Sequence, residues 1–147
     1  MLKTTAVALA VFVAIAVPGA ARAQATPVGL WKTIDDETKK EKSLVRISDS
    51  GGVLTGRIEK LLDPAAKQND VCDKCTDDRK DKPIVGLTII RNAKAGEEGT
   101  WGGGDITDPN NGKVYKLRLK PLDGGKKLEV RGYIGPFYRN QQWIRVE

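Results

Sequence analysis

The sequence predicts an all-β protein, and within that class an eight-stranded antiparallel barrel with up-and-down connections. Three observations lead there. Eight segments, residues 30–34, 43–48, 53–59, 84–91, 100–107, 113–120, 127–134 and 137–146, are rich in β-branched or aromatic residues. Between several of them lie Ser50-Gly51-Gly52, Asp108-Pro109-Asn110-Asn111-Gly112 and Asp123-Gly124-Gly125, where Gly and Asn tolerate the positive φ of tight hairpins. Helical periodicity is absent, apart from room for one turn between Glu59 and Gln68.

The elements follow in order. The first strand carries Trp31, and the charged clusters Asp35-Asp36-Glu37 and Lys39-Lys40-Glu41-Lys42 after it read as a solvated hairpin tip. Ser50-Gly51-Gly52 turns the second strand into the third, and a long charged stretch containing Cys72 and Cys75 leads to the fourth. The fifth holds Trp101 and three glycines, Gly102 to Gly104. The sixth is the clearest: Tyr115, Leu117 and Leu119 alternate with Lys116, Arg118 and Lys120, giving one dry face and one wet face. The seventh and eighth, carrying Tyr133 and Arg145, follow the Asp123-Gly124-Gly125 turn. Closing such a sheet into a barrel removes its edges, and glycines inside strands (Gly56, Gly86, Gly132 and the Gly102 run) permit the curvature. A two-sheet sandwich is the alternative that strand count alone does not separate.

The chain begins like an exported one. Lys3 is followed by an apolar run from Ala6 to Val17, a Pro18-Gly19 break and the small-residue site Ala21-Arg22-Ala23. The expected division is therefore a signal peptide over 1–23 and one barrel domain over 24–147, located in the periplasm or secreted, with no stable membrane insertion after cleavage. The apolar run is short of the roughly 20 residues that cross a bilayer. The full chain has 25 Lys and Arg against 19 Asp and Glu. Removing Lys3 and Arg22 lowers the net charge from +6 to +4, a mild excess that makes nucleic acid an improbable partner.

With no His anywhere, mechanisms that need one are excluded, and a serine triad with them. The remaining catalytic options are a Ser-Lys pair, which would need a buried Lys near Ser43, Ser48 or Ser50, and paired carboxylates such as Asp105 with Glu129. Most acids are expected on wet faces, so the expectation is no enzyme and no catalytic residue. Cys72-x-x-Cys75 lacks the following helix that would activate a thiolate, and two Cys without His do not complete a zinc site. In an oxidising compartment a disulfide is the better reading, fixing the long loop and contributing about 2 kcal/mol by loop closure. Asp105 to Gly112 offers many oxygens but lacks the terminal acid of a calcium loop, so it reads as a turn and no metal or cofactor is implied.

Several motifs together resemble a known family. Gly29-Leu30-Trp31-Lys32-Thr33, Cys72-Asp73-Lys74-Cys75, Lys80 to Leu87, Trp101-Gly102-Gly103-Gly104-Asp105-Ile106, Gly132-Tyr133-Ile134-Gly135 and Arg139 to Arg145 are similar, in order, to the bacterial exported family called domain of unknown function 2147. The resemblance implies a small lipocalin-like barrel and brings no established catalytic site. Lys39 departs from the family pattern, which favours Gly in the first hairpin, so a longer turn is expected there. Lipocalins place a Gly-x-Trp on the first strand beside a basic residue after the last. Gly29, Trp31 and Arg145 are similarly placed, which implies that Trp31 and Arg145 close the barrel.

The positive case is for binding. Trp101, Tyr115 and Tyr133 fall on three consecutive strands near the glycine run and are the candidate walls of a pocket for a small amphipathic molecule. The alternative is a structural or protein-interaction module of the cell envelope, in which the same aromatics fill a solid interior and an envelope component is the partner.

Overall fold

The structure, a computed structural model, describes residues 25–147, and the expected signal peptide over 1–23 lies outside the described residues. Eight strands follow one another: β1 (Gly29–Ile34), β2 (Glu41–Ser50), β3 (Val53–Leu61), β4 (Thr88–Ala95), β5 (Trp101–Thr107), β6 (Val114–Leu122), β7 (Lys127–Ile134) and β8 (Phe137–Arg145). Each pairs antiparallel with the next, and β8 returns to β1 through Trp31↔Arg145 and Lys32↔Ile144, so the sheet closes as a barrel. Closure decides between barrel and sandwich, because all eight strands lie in one continuous sheet.

Alternation sets which residues face inward. On β6, Leu117 and Leu119 are buried while Lys116 and Lys120 are exposed, and the cross-strand partners of the buried pair, Gly132 and Val130, share their face. Arg46, Arg57, Glu59, Arg118 and Glu129 stand with Lys116 and Lys120 on the outer wall. That wall is charged where a membrane-spanning barrel would carry an apolar band. Among the described residues no helix is long and apolar enough to cross a membrane.

Two local readings change. The fourth strand starts at Thr88 and not at Ile84, so Gly86 lies in a turn outside the sheet. There Gly86 adopts φ 93°, its N–H donates to Ile58 at 2.7 Å, and Leu87 closes back on Ile84 at 3.0 Å. No helical turn forms between Glu59 and Gln68. β3 instead runs on to Leu61, whose N–H and carbonyl are both taken by the Gln68 side-chain amide, at 3.1 and 2.7 Å. A single 3₁₀ turn, Asp123–Gly125, joins β6 to β7.

The β1–β2 connection spans residues 35–40, and Lys39 adopts φ 60° in it. That is the left-handed region, which Gly occupies at least cost. The connection is held by Asp35, whose Oδ1 accepts the N–H groups of Glu37 and Thr38 at 3.1 and 2.7 Å.

Candidate functional site

The up-and-down order sorts the connections to two ends. Residues 25–28, the hairpins after β2, β4 and β6, and the end of β8 share one end, while the connections after β1, β3, β5 and β7 share the other. The first end is sealed. Trp31 has no exposed surface, its indole N–H donates to the Pro27 carbonyl at 2.7 Å, and the Arg145 guanidinium lies 4.2 Å from its ring centroid. Arg145 also donates to the carbonyls of Gly125, Val28 and Thr26 at 2.5, 2.8 and 2.6 Å. One side chain thus ties β8, the 3₁₀ turn and the segment before β1 together, and its burial pulls its pKa below the ordinary guanidinium value. Above this plug Val45, Ile47, Leu54, Ile90, Leu119 and Leu128 pack with almost no exposure.

The second end is open. A cavity of about 560 Å³ runs in from it. Ile58, Ile106, Val130 and Trp143 line it with apolar surface, and Thr33 and Ser43, joined by a 2.8 Å hydrogen bond, add a small polar stripe. The Trp143 indole donates to Gln141 Oε1 at 3.0 Å. At the mouth stand Asp35, Asp63, Asp70 and Asp108 with Lys42 and Arg139. Arg139 holds Asp36 at 2.6 Å. Burial pushes the Asp36 carboxyl up, but the hydrogen bonds of Arg139, its own backbone and Gln141 outweigh that and hold it below its usual value. Lys42, 2.6 Å from Asp63, lowers that carboxyl, and the Thr38 N–H and hydroxyl lower Asp35.

The three candidate aromatics do not meet. Tyr115 lines the cavity, its hydroxyl accepting from Asn111 Nδ2 at 3.0 Å, and it lies over Gly132, where a Cβ would stand 3.1 Å from the Tyr115 Cβ. Trp101 pairs with Leu119 toward the sealed end, about 13 Å along β6 from Tyr115, and packs against the core there. Tyr133 pairs with Lys116, so it stands on the outer face, tilted against Tyr138 with ring centroids 5.9 Å apart. Sharing neighbouring strands was insufficient, because facing one lumen also requires the same alternation phase and the same depth. The lining residues missed at the sequence level, Arg139, Gln141 and Trp143, occupy alternate positions of β8, a period-2 signal obscured by the two polar members. Asp105 and Glu129 do not form a carboxylate pair: β6 separates their strands, and Glu129 is bound to Arg118 at 2.9 Å.

The loop between β3 and β4 covers one side of the mouth. Cys72 and Cys75 form a disulfide with Cα atoms 5.4 Å apart, and both are buried in the core. Gly112 packs so closely on the Lys74 carbonyl that no side chain fits there. Arg79, 3% exposed, grips the Asp77 carboxylate at 2.6 Å and the Thr88 carbonyl at 3.1 Å, pulling Asp77 down to about 2. Asp108 to Gly112 is a turn, in which Asp108 Oδ1 accepts from Asn110 N–H at 2.8 Å.

A closed eight-stranded barrel with one plugged and one open end is the architecture of a small lipocalin-like protein. Protein HP1028 from the human pathogen Helicobacter pylori, described as belonging to the lipocalin family, is similar to it in fold: TM-score 0.71, 16% identity, 84% of each chain covered. The chain itself belongs to the bacterial family described as "Uncharacterized protein conserved in bacteria (DUF2147)", which matches residues 29–145. No curated protein matches it.

Proposed function

We propose that the barrel binds or carries a small amphipathic molecule in the periplasm and performs no chemistry on it. The observation that carries this reading is the cavity of about 560 Å³ at the open end. It falls in the range of small-molecule sites, roughly 300–1,000 Å³, and pairs an apolar floor with a polar mouth, as such sites do. The disulfide fits an oxidising compartment outside the cytoplasm. The lipocalin-like neighbour supports the same reading by fold alone.

Titration of the mature chain with N-phenyl-1-naphthylamine, a neutral apolar fluorophore, tests it. One probe per chain, excited by energy transfer from Trp143, is the expected result, and Val130→Phe should block it by filling the lumen. Absence of saturable binding, or binding untouched by Val130→Phe, overturns it.

One observation favours a second reading, an interaction module of the envelope. Ile134, Phe137 and Tyr138 at the β7–β8 hairpin are 46%, 76% and 56% exposed, an apolar tip that no element among the described residues covers. If that tip is the working surface, Phe137→Ser abolishes recovery of an envelope partner while leaving fluorophore binding intact.

A further inference from the structure

We propose that the mouth selects an amphiphile with a cationic, hydrogen-bond-donating head of the ammonium class, its apolar chain lying in the lumen. The proposal rests on the binding reading above and adds the chemistry of the head group. Five carboxylates line the cavity, Asp35, Glu37, Asp63, Asp70 and Asp108. Its two cations are already engaged. Lys42 is 2.6 Å from Asp63, and Arg139 is 2.6 Å from Asp36 and 3.7 Å from Glu37.

Asp35, Asp70 and Asp108 have no ion pair among the described residues. Each uses one oxygen to hold its own turn: Asp35 Oδ1 accepts from Thr38 N–H at 2.7 Å, Asp70 Oδ2 from Lys67 N–H at 2.9 Å and Asp108 Oδ1 from Asn110 N–H at 2.8 Å. The second oxygen of each carries no hydrogen bond among the described residues. All three residues are half-buried, so their negative charge is screened less than that of a freely exposed carboxylate.

An independent feature stands beside them. Thr107 lines the cavity next to Asp108, is 2% exposed, and its Oγ1 has no hydrogen-bond partner among the described residues. Buried hydroxyls are ordinarily paired, and an ammonium N–H reaching this depth supplies the missing donor. Among the described residues no three potential metal ligands converge, so the carboxylates ring the opening as a diffuse field suited to an organic cation. The contrast with the whole chain decides the sign. A protein with 25 basic and 19 acidic residues attracts anions in general, yet its mouth repels a fatty-acid-like head.

Calorimetric titration of the mature chain with decylammonium, decanol and decyl sulfate tests this at one chain length. Decylammonium should bind about tenfold more tightly than decanol, and decyl sulfate more weakly than either. The ratio of decylammonium to decanol should shrink toward one in about 0.5 M salt, and likewise in the triple variant Asp35→Asn, Asp70→Asn, Asp108→Asn. Asn keeps the turn-holding oxygen, and the salt series on the unaltered protein decides the question should that variant not fold. Decyl sulfate binding as tightly as decylammonium overturns the head-group assignment while leaving the cavity reading in place. Failure of all three ligands overturns both.

Discussion

Trp31 and Trp143 sit on adjacent strands of the same barrel, are both almost wholly buried, and do opposite things. Trp31 is clamped between a carbonyl at 2.7 Å and a guanidinium at 4.2 Å, with no exposed surface. Trp143 walls a cavity, and its indole N–H donates to Gln141, itself part of the lining. The difference teaches where the barrel keeps its stability and where it keeps its room. Six carbonyl, ring and strand contacts converge on Arg145 and Trp31 at the sealed end. The open end is assembled from turns held by aspartates and by one disulfide-bonded loop.

The largest effect is expected at the plug. Trp31→Ala should cost about 3–5 kcal/mol, read by chemical denaturation, because the closely packed neighbours cannot collapse into the gap. A change below 1.5 kcal/mol on that order-of-magnitude scale would show that the plug does not carry the fold. A matched pair sharpens the contrast. Leu54→Phe, in the packed half beside the β2–β3 hairpin, should lose about 1–3 kcal/mol from overpacking, whereas Val130→Phe should leave the melting temperature nearly unchanged and abolish fluorophore binding. Equal destabilisation by both would mean that the two halves are packed alike.

The double change Cys72→Ala, Cys75→Ala should cost about 2 kcal/mol by loop closure. The loss should appear as faster hydrogen exchange over residues 70–84, with the amides around Trp31 still protected. Uniform acceleration across the barrel would make the disulfide a global brace. The smallest effect is acid loosening. Asp77, held at about 2 by Arg79, and Asp35 and Asp63, also held below 3.8, titrate lower in the folded chain than in the unfolded one. Their contribution is therefore complete above about pH 4 and is lost as pH falls toward 2, modestly because these carboxylates meet solvent. Arg145 and its carbonyl partners do not titrate in that window. Hydrogen exchange at pH 2.5–3, between about those limits, should speed up at the open end first, and simultaneous loosening of both ends would contradict the division.

Pairing the β-branched segments with the Gly- and Asn-rich turns was enough to read seven strands nearly in place, because period-2 burial and turn chemistry are local properties. The fourth strand slipped because Ile84, Val85 and Leu87 are strand-like in composition but are bent by Gly86 and tethered to Ile58. The pocket was legible only as Tyr115. Trp101 was misplaced because its depth is set by Leu119, a partner distant in sequence. Tyr133, three residues beyond buried Val130 on an unbulged strand, faces outward by simple alternation, a signal that is local. The bulge at Gly102 to Asp105 alone shifts the register of β5 against β6.

By itself, then, the sequence determined the class, the number of strands and the turns, since each follows from alternation and backbone freedom within a few residues. It also contained the disulfide, which requires only two cysteines at a short spacing and an oxidising setting. The tertiary structure decided which end is sealed, how deep each aromatic sits and which aspartates of the mouth pair with a cation. Those depend on closure: joining β8 to β1 brings Arg145 onto Trp31 and Arg139 onto Asp36, more than a hundred residues apart in the chain.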